Sequence, residues 1–364
     1  MQGFRSQSQN VNQVSSNDPI LVWGGGAIGG TLAAYWARAG IPVRMVDLVQ
    51  AHVEACRTSG LRIEGTVDNF VQRVSASLPD ELEGRYSRIV LAVKAQHTAG
   101  ALEQLLRHLA QDGFVLSAQN GLNEALIAER AGAARTMGCF VNFGADWLEP
   151  GRIVYGGRGE AVVGEIHGPP RSRTVEMHRL LSIFEPNAVL TDNIWGYLWG
   201  KLGFAAMLFA TSLNNDSMDA NFADPARFPV FHRLGREVMA VASARGIKPI
   251  GITGFDPAAF MPGAPEAAAR ACMAVLAQRR KGAAKQHSGF WRDLAMRKRR
   301  TEVDELLGKV VEQGRAAGVK TPLLETLIAL VHDLEEGRRE LSWNTFAVLH
   351  DQCAQDSPTT SAAR

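Results

Sequence analysis

The chain has few cysteines, almost no net charge and no long apolar run. Its four cysteines, Cys56, Cys139, Cys272 and Cys353, stand far apart and form no CxxC pair. That spacing argues against a disulfide framework and against metal binding through cysteine, and fits reduced thiols in a cytoplasmic protein. The formal net charge is +2, so the overall balance asks for neither nucleic acid nor an anionic membrane as partner. No run of about 18 apolar residues occurs, which excludes a transmembrane helix on hydropathy. The opening MQGFRSQSQNVNQVSSNDP is polar and lacks the apolar region of a secretory signal. Neither H-E-x-x-H nor G-x-S-x-G appears, which sets aside the zinc and serine hydrolases. The basic cluster Arg297-Lys298-Arg299-Arg300 is short, sits in a helical pattern and reads as a solvated face.

What is present suffices for two domains. Of 364 residues, 46% are apolar, enough for a core in each. Residues 1–17 and 351–364 are polar and expected to be disordered. From 18 to 192, short apolar runs alternate with helical patterns: Ile20 to Trp23, Val43 to Val46, Arg88 to Val93 and Phe114 to Ser117. Such runs separated by helices predict parallel strands joined by crossovers. The Gly- and Val-rich stretch Arg152 to Glu165 reads as late, partly antiparallel strands closing the sheet. From 193 to 350 helical patterns dominate. The clearest, Thr301 to Gln313, puts Val303, Leu306, Leu307, Val310 and Val311 on one face. The fold class is therefore α/β: an N-terminal Rossmann, doubly wound, mostly parallel sheet followed by an all-helical C-terminal domain.

The sharpest motif is WGGGAIGG. Gly24, Gly26 and Gly29 supply G-x-G-x-x-G between the first strand and the first helix, with Gly25, Ala27 and Ile28 completing the loop. Gly24 permits the tight turn, Gly26 lets backbone approach a pyrophosphate, and Gly29 allows close helix–strand packing. The helix N-terminus then offers free N–H groups to phosphates. Asp47 ends the second strand, where a carboxylate accepts hydrogen bonds from the adenosine ribose and repels a 2′-phosphate, so NADH is the favoured cofactor. A turn or helix N-cap is the other reading of Asp47. Arg44 and His52 are nearby cations. Lys94 and Asn120 follow the third and fourth parallel strands, at the carboxyl ends where ligands bind in such sheets. Lys94 is expected at the cofactor or an anionic substrate, Asn120 at the nicotinamide ribose or a substrate hydroxyl.

At this point the chain resembles the ketopantoate reductase family. The resemblance runs from about residue 19 to 340 and rests on the order and spacing of WGGGAIGG, VKAQHT, QNG, WGKL, TEVDELLG and GVKTP. It implies reduction of a 2-oxo acid, 2-dehydropantoate, with NADPH as the family's usual cofactor. It implies Lys201 and Glu302 as the catalytic pair. Hydride reaching a ketone carbon leaves an alkoxide, which a partly desolvated ammonium stabilises and protonates. Glu302 would orient that lysine or the substrate, and Ser288 would bind the substrate carboxylate. A homodimer is compatible with the resemblance.

The chain departs from the family at two places. Asparagines expected four and eight residues after the lysine are Ala205 and Phe209, so a pocket tuned to a substrate hydroxyl is put in doubt. Leu48 stands about where a basic residue would favour NADPH. Three readings stay open: a 2-dehydropantoate reductase, a reductase of a more apolar 2-oxo acid, and a non-catalytic NAD(P)-binding sensor.

Overall fold

The structure is a computed structural model that describes residues 18–282 and 285–355. The expectation of disorder in residues 1–17 and 356–364 lies outside the described residues. Residues 351–355, expected in the tail, continue the last helix to Gln355.

The first half begins with β1 (Ile20–Trp23), whose four side chains are all buried. Then come α1 (Ala27–Arg38), β2 (Val43–Val46), α2 (Gln50–Thr58), β3 (Leu61–Glu64), β4 (Phe70–Gln72) and β5 (Ser75–Ser77). The chain continues through β6 (Tyr86–Leu91), α3 (Thr98–Leu105), β7 (Leu109–Ser117) and α4 (Asn123–Ala131). It ends with β8 (Thr136–Glu149), β9 (Arg152–Glu165), α5 (Ser172–Phe184) and β10 (Val189–Thr191). All ten strands form one sheet in the order β4-β3-β9-β8-β7-β6-β1-β2-β5, with β10 paired to β9.

From β5 to β8 the strands are parallel, as the crossover pattern predicts. The chain leaves β1 toward β2 on one side and returns to β6 on the other. This reversal opens a crevice beyond the carboxyl ends of β1 and β6. β9 is antiparallel to β8 and parallel to β3 and β10. It does not close the sheet, because β3 and β4 lie beyond it. β3 alternates apolar with charged residues and β4 has no fully buried residue, so neither leaves a continuous apolar run.

The second half is helical. Asn193 caps α6 (Ile194–Thr211) by accepting from the Gly196 N–H at 3.0 Å. After it come α7 (Met218–Ala223), α8 (Phe228–Ala244), α9 (Glu266–Arg280), α10 (Gly289–Ala295), α11 (Lys309–Ala316), α12 (Pro322–Glu335) and α13 (Trp343–Gln355). The expected Thr301–Gln313 helix enters through a π-turn at Asp304–Gly308, and its five marked apolar residues are all buried. None of the described helices is long and apolar enough to cross a membrane.

Two apolar clusters cover the two faces of the sheet. A third surrounds α6, which is apolar nearly all round, and takes in Phe140, Val162 and Ile166 from the sheet domain. A helix of that composition belongs in an interior. Fully burying each Leu or Phe contributes roughly 1.5–3 kcal/mol, so this shared core fixes α6 against β8 and β9. The helix thereby delivers Lys201 to the carboxyl edge of the sheet.

Candidate active site

The glycine loop separates what the fold needs from what a ligand needs. Gly24 has φ 101°, and a Cβ there would lie 2.9 Å from the backbone of Ala92 and Val93. A Cβ at Gly29 would lie 2.0 Å from the Gly24 carbonyl oxygen. At Gly26 nothing stands within 4 Å. The first and third glycines serve the protein, while the second keeps space open in the cleft. Gly26 is the N-cap of α1, with no side-chain cap bond and no acidic residue in the first turn. The helix's N–H groups and positive dipole end are thus left to a ligand, and the loop fits a pyrophosphate. Gly24, Gly26, Ala27 and Ile28 line the cleft; Gly25 is wedged against Met45 and His52 instead.

Asp47 also lines the cleft. Its Oδ2 accepts the Gly25 N–H at 2.8 Å and its Oδ1 the Val49 N–H at 2.9 Å. The side chain thus makes the turn contact that was its other reading, and each carboxylate oxygen keeps a further lone pair facing no partner among the described residues. His52 is not the cation the sequence suggested. It is buried, and desolvation holds its pKa below the ordinary value despite the Asp47 charge. Arg44 lies toward Tyr86 and does not line the cleft.

Lys201 reaches the cleft from the second turn of α6. Its ammonium donates to Asn120 Oδ1 at 2.8 Å and to the Val141 carbonyl, and lies 5.2 Å from the Phe140 ring centroid. Burial, opposed by the charge of Glu302 and assisted by Lys285, pushes its pKa down to about 8. Asn120, expected at ribose or substrate, is placed as the partner that holds the lysine.

Glu302 does not hold Lys201 directly. No ion pair joins them among the described residues; Glu302 Oε1 accepts the Ala95 N–H at 2.9 Å, and Oε2 is 3.9 Å from Lys94. Glu302 acts on Lys201 through its charge. Lys94 donates to Asp293 at 2.8 Å. Burial raises the Asp293 pKa, but the Lys94 bond and the Arg297 and Arg299 charges outweigh it, and the group stays well ionised.

Across the mouth of the cleft, Asp146 on β8 receives Arg292 at 3.0 Å and also pairs with Arg297. Asp146 and Asp293 thus tie the two domains together, and neither was marked in the sequence. Two members of the basic run, Arg297 and Arg299, line the cleft in these pairs rather than forming a free solvated face.

Two expected substrate positions fall elsewhere. Ser288 is buried and caps α10, accepting the Trp291 N–H at 3.1 Å, and it does not line the cleft. A serine immediately before a helix favours that use. Phe209 is fully buried, stacked on Phe290 with centroids 3.7 Å apart. Ala205 does line the cleft, as does Leu208.

The cleft between the domains has a volume of about 1150 Å³ and contains the glycine loop, Asp47, Lys94, Asn120, Lys201 and Glu302 together. A smaller hollow of about 490 Å³ between α7 and α9 contains none of them.

Two family models match, "Ketopantoate reductase PanE/ApbA" over residues 20–168 and "Ketopantoate reductase PanE/ApbA C terminal" over residues 193–335. The 2-dehydropantoate 2-reductase of Mesorhizobium japonicum is 27% identical over 344 residues, spanning 86% of this chain and 97% of that protein. A PanE/ApbA family ketopantoate reductase of Ralstonia eutropha superimposes with a TM-score of 0.73 at 26% identity, covering 88% of this chain and 100% of its own. D-mandelate dehydrogenase, solved with NADH and anilino(oxo)acetate, has the same fold at a TM-score of 0.75 and 20% identity, covering 88% and 98%.

Proposed function

The chain belongs to the ketopantoate reductase family, and on that premise we propose that it reduces a 2-oxo acid with a nicotinamide cofactor, Lys201 serving as proton donor. The observation that carries this reading is the state of Lys201. Its ammonium sits in the cleft with a pKa lowered to about 8, where a proton is easily given up. Asn120 and Val141 take two of its three N–H bonds, which leaves one for a substrate oxygen.

Each residue then has a task. The loop from Gly24 to Gly29 receives the pyrophosphate. Asp47 accepts the adenosine ribose hydroxyls and disfavours a 2′-phosphate, so NADH is preferred over NADPH. The reduced nicotinamide, when bound, supplies a hydride to the carbonyl carbon. Lys201 polarises the carbonyl oxygen, stabilises the negative charge that grows there and delivers its proton, giving a 2-hydroxy acid. Asn120 holds the ammonium in place. Glu302 favours the charged form of Lys201 by its field and is anchored by the Ala95 N–H.

The test is cofactor oxidation by the purified protein with 2-dehydropantoate and other 2-oxo acids, NADH and NADPH in parallel, beside Lys201→Ala. Turnover that falls by about 10²–10⁴-fold in the variant supports the assignment. A higher kcat/KM with NADPH removes the reading of Asp47. Tight cofactor binding without turnover of any 2-oxo acid identifies the protein as a nicotinamide-binding sensor.

A further inference from the structure

The proton donor stands between an apolar wall and a group of cations. One and two turns beyond Lys201 on α6, Ala205 and Leu208 line the cleft. Phe290 of α10 also lines it, packed onto α6 by its stack on Phe209. No polar side chain projects from that face of α6 beyond the lysine to bond a substrate hydroxyl. A hydroxyl placed there would lose its water without gaining a partner.

The cations are Lys285 and Arg292. Both line the cleft. Lys285 has no carboxylate partner among the described residues, and its proximity works against the Lys201 charge. Arg292 spends Nη1 on Asp146, while its Nε is buried without a hydrogen-bond partner. A guanidinium and an ammonium side by side in the cleft, the ammonium with no carboxylate of its own, attract a carboxylate.

We propose that the cleft selects a 2-oxo monocarboxylic acid with an apolar, branched or aromatic side chain, its carboxylate held by Arg292 and Lys285 and its side chain against Ala205, Leu208 and Phe290. This rests on the reading of the chain as a 2-oxo acid reductase. The reaction is unchanged: the carbonyl carbon gains a hydride as the nicotinamide is oxidised, and the oxygen gains the Lys201 proton.

A single pair of substrates separates the possibilities. 3,3-Dimethyl-2-oxobutanoate differs from 2-dehydropantoate only in lacking the 4-hydroxyl. An apolar pocket prefers the compound without the hydroxyl by about 10- to 100-fold in kcat/KM. 2-Oxo-3-phenylpropanoate, 2-oxoglutarate and the methyl ester of the dimethyl compound complete the set. The phenyl acid is expected to be reduced at least as well as 2-dehydropantoate, and the diacid poorly. Lys285→Met is expected to raise KM for the acid about tenfold and to leave KM for the ester within about twofold, while kcat shifts alike for both because the Lys285 charge also acts on Lys201. Ala205→Asn is expected to shift preference back toward the hydroxylated substrate.

Preference of the unaltered protein for 2-dehydropantoate overturns the pocket while leaving the reaction class intact. An equal rise in KM for acid and ester in Lys285→Met overturns the carboxylate site. Absence of turnover with all five compounds overturns the reductase reading itself.

Discussion

His52 Nε2 donates a hydrogen bond to the carbonyl of Gly25 at 2.9 Å. Its other nitrogen, Nδ1, accepts the Gly151 N–H at 2.9 Å and the Trp147 indole N–H at 3.3 Å. One buried ring thus ties the glycine loop to the turn between β8 and β9. That hairpin also carries Asp146, which grips Arg292 and Arg297 of the helical domain. The arrangement requires a neutral imidazole protonated on Nε2, because a charged ring has no acceptor for Gly151.

The pH dependence of stability follows from that requirement. Burial holds the folded pKa of His52 below the ordinary value of 6.5, so protons bind the unfolded chain more readily. The contribution of His52 is therefore complete above about pH 6.5 and is lost as pH falls from there to the depressed folded value. His52→Phe keeps a ring but leaves Gly25 and Gly151 unpaired, which costs about 1–3 kcal/mol. Urea unfolding across this pH range is expected to show a smaller slope in the variant. An unchanged slope would mean that other groups carry it.

The role proposed for Lys201 makes a prediction about the pH dependence of catalysis. With the ammonium as proton donor, kcat/KM is expected to fall as pH rises through about 8. In the oxidative direction the neutral amine is the base, and the rate is expected to rise over the same range. Lys201→Arg keeps the charge but gives up no proton in this range. It should lose roughly 10²–10⁴ in rate together with the alkaline limb near 8. A limb that survives in the arginine variant belongs to another group.

Legibility of the site tracked how local its signals are. Gly24, Gly26 and Gly29 are neighbours in sequence, and their reasons are local: a turn, an opening and a contact. The pairs that join the domains, Asp146 with Arg292 and Lys94 with Asp293, span 146 and 199 residues, and no periodicity records them. Phe209 shows a geometric limit of reading by interval. At about 100° per residue, a position seven after Lys201 returns to within about 20° of it, whereas one eight after is turned by about 80°. Leu208 therefore faces the cleft and Phe209 the core. Ser288 carried its signal openly as a helix cap, but the resemblance directed attention to a carboxylate. In the sheet, β6 and β7 were readable from buried runs, while β3 to β5 interleave exposed or polar residues and leave no continuous apolar run.

The glycine loop makes a paired prediction. Gly26 has φ −67° and open space where a Cβ would project, so Gly26→Ala should fold normally. The methyl enters the space assigned to the pyrophosphate, and cofactor affinity is expected to fall about tenfold or more, at 1.4 kcal/mol per decade. Gly29→Ala is expected to fail at folding, because its Cβ would meet the Gly24 carbonyl oxygen at 2.0 Å. Thermal unfolding with and without NADH reads both effects. Unaltered cofactor affinity in Gly26→Ala places the phosphates elsewhere.

Glu124, at the start of α4, is fully buried, and neither carboxyl oxygen makes a well-formed hydrogen bond. Burial raises its pKa from 4.5 to about 8, with only a weak opposing pull from its own backbone and the nearby Ser117. The folded protein therefore holds it as the neutral acid at neutral pH, while the unfolded chain ionises it. Its contribution to stability is complete below pH 4.5 and is lost as pH rises toward about 8. At neutral pH the loss is on the order of 3 kcal/mol. Glu124→Gln has the same shape and no proton to lose. The variant is expected to be the more stable protein at neutral and mildly alkaline pH and to converge with the parent below pH 4.5. Equal melting temperatures at pH 8 would show that the carboxyl finds a partner, such as a buried water, that offsets the cost of ionisation.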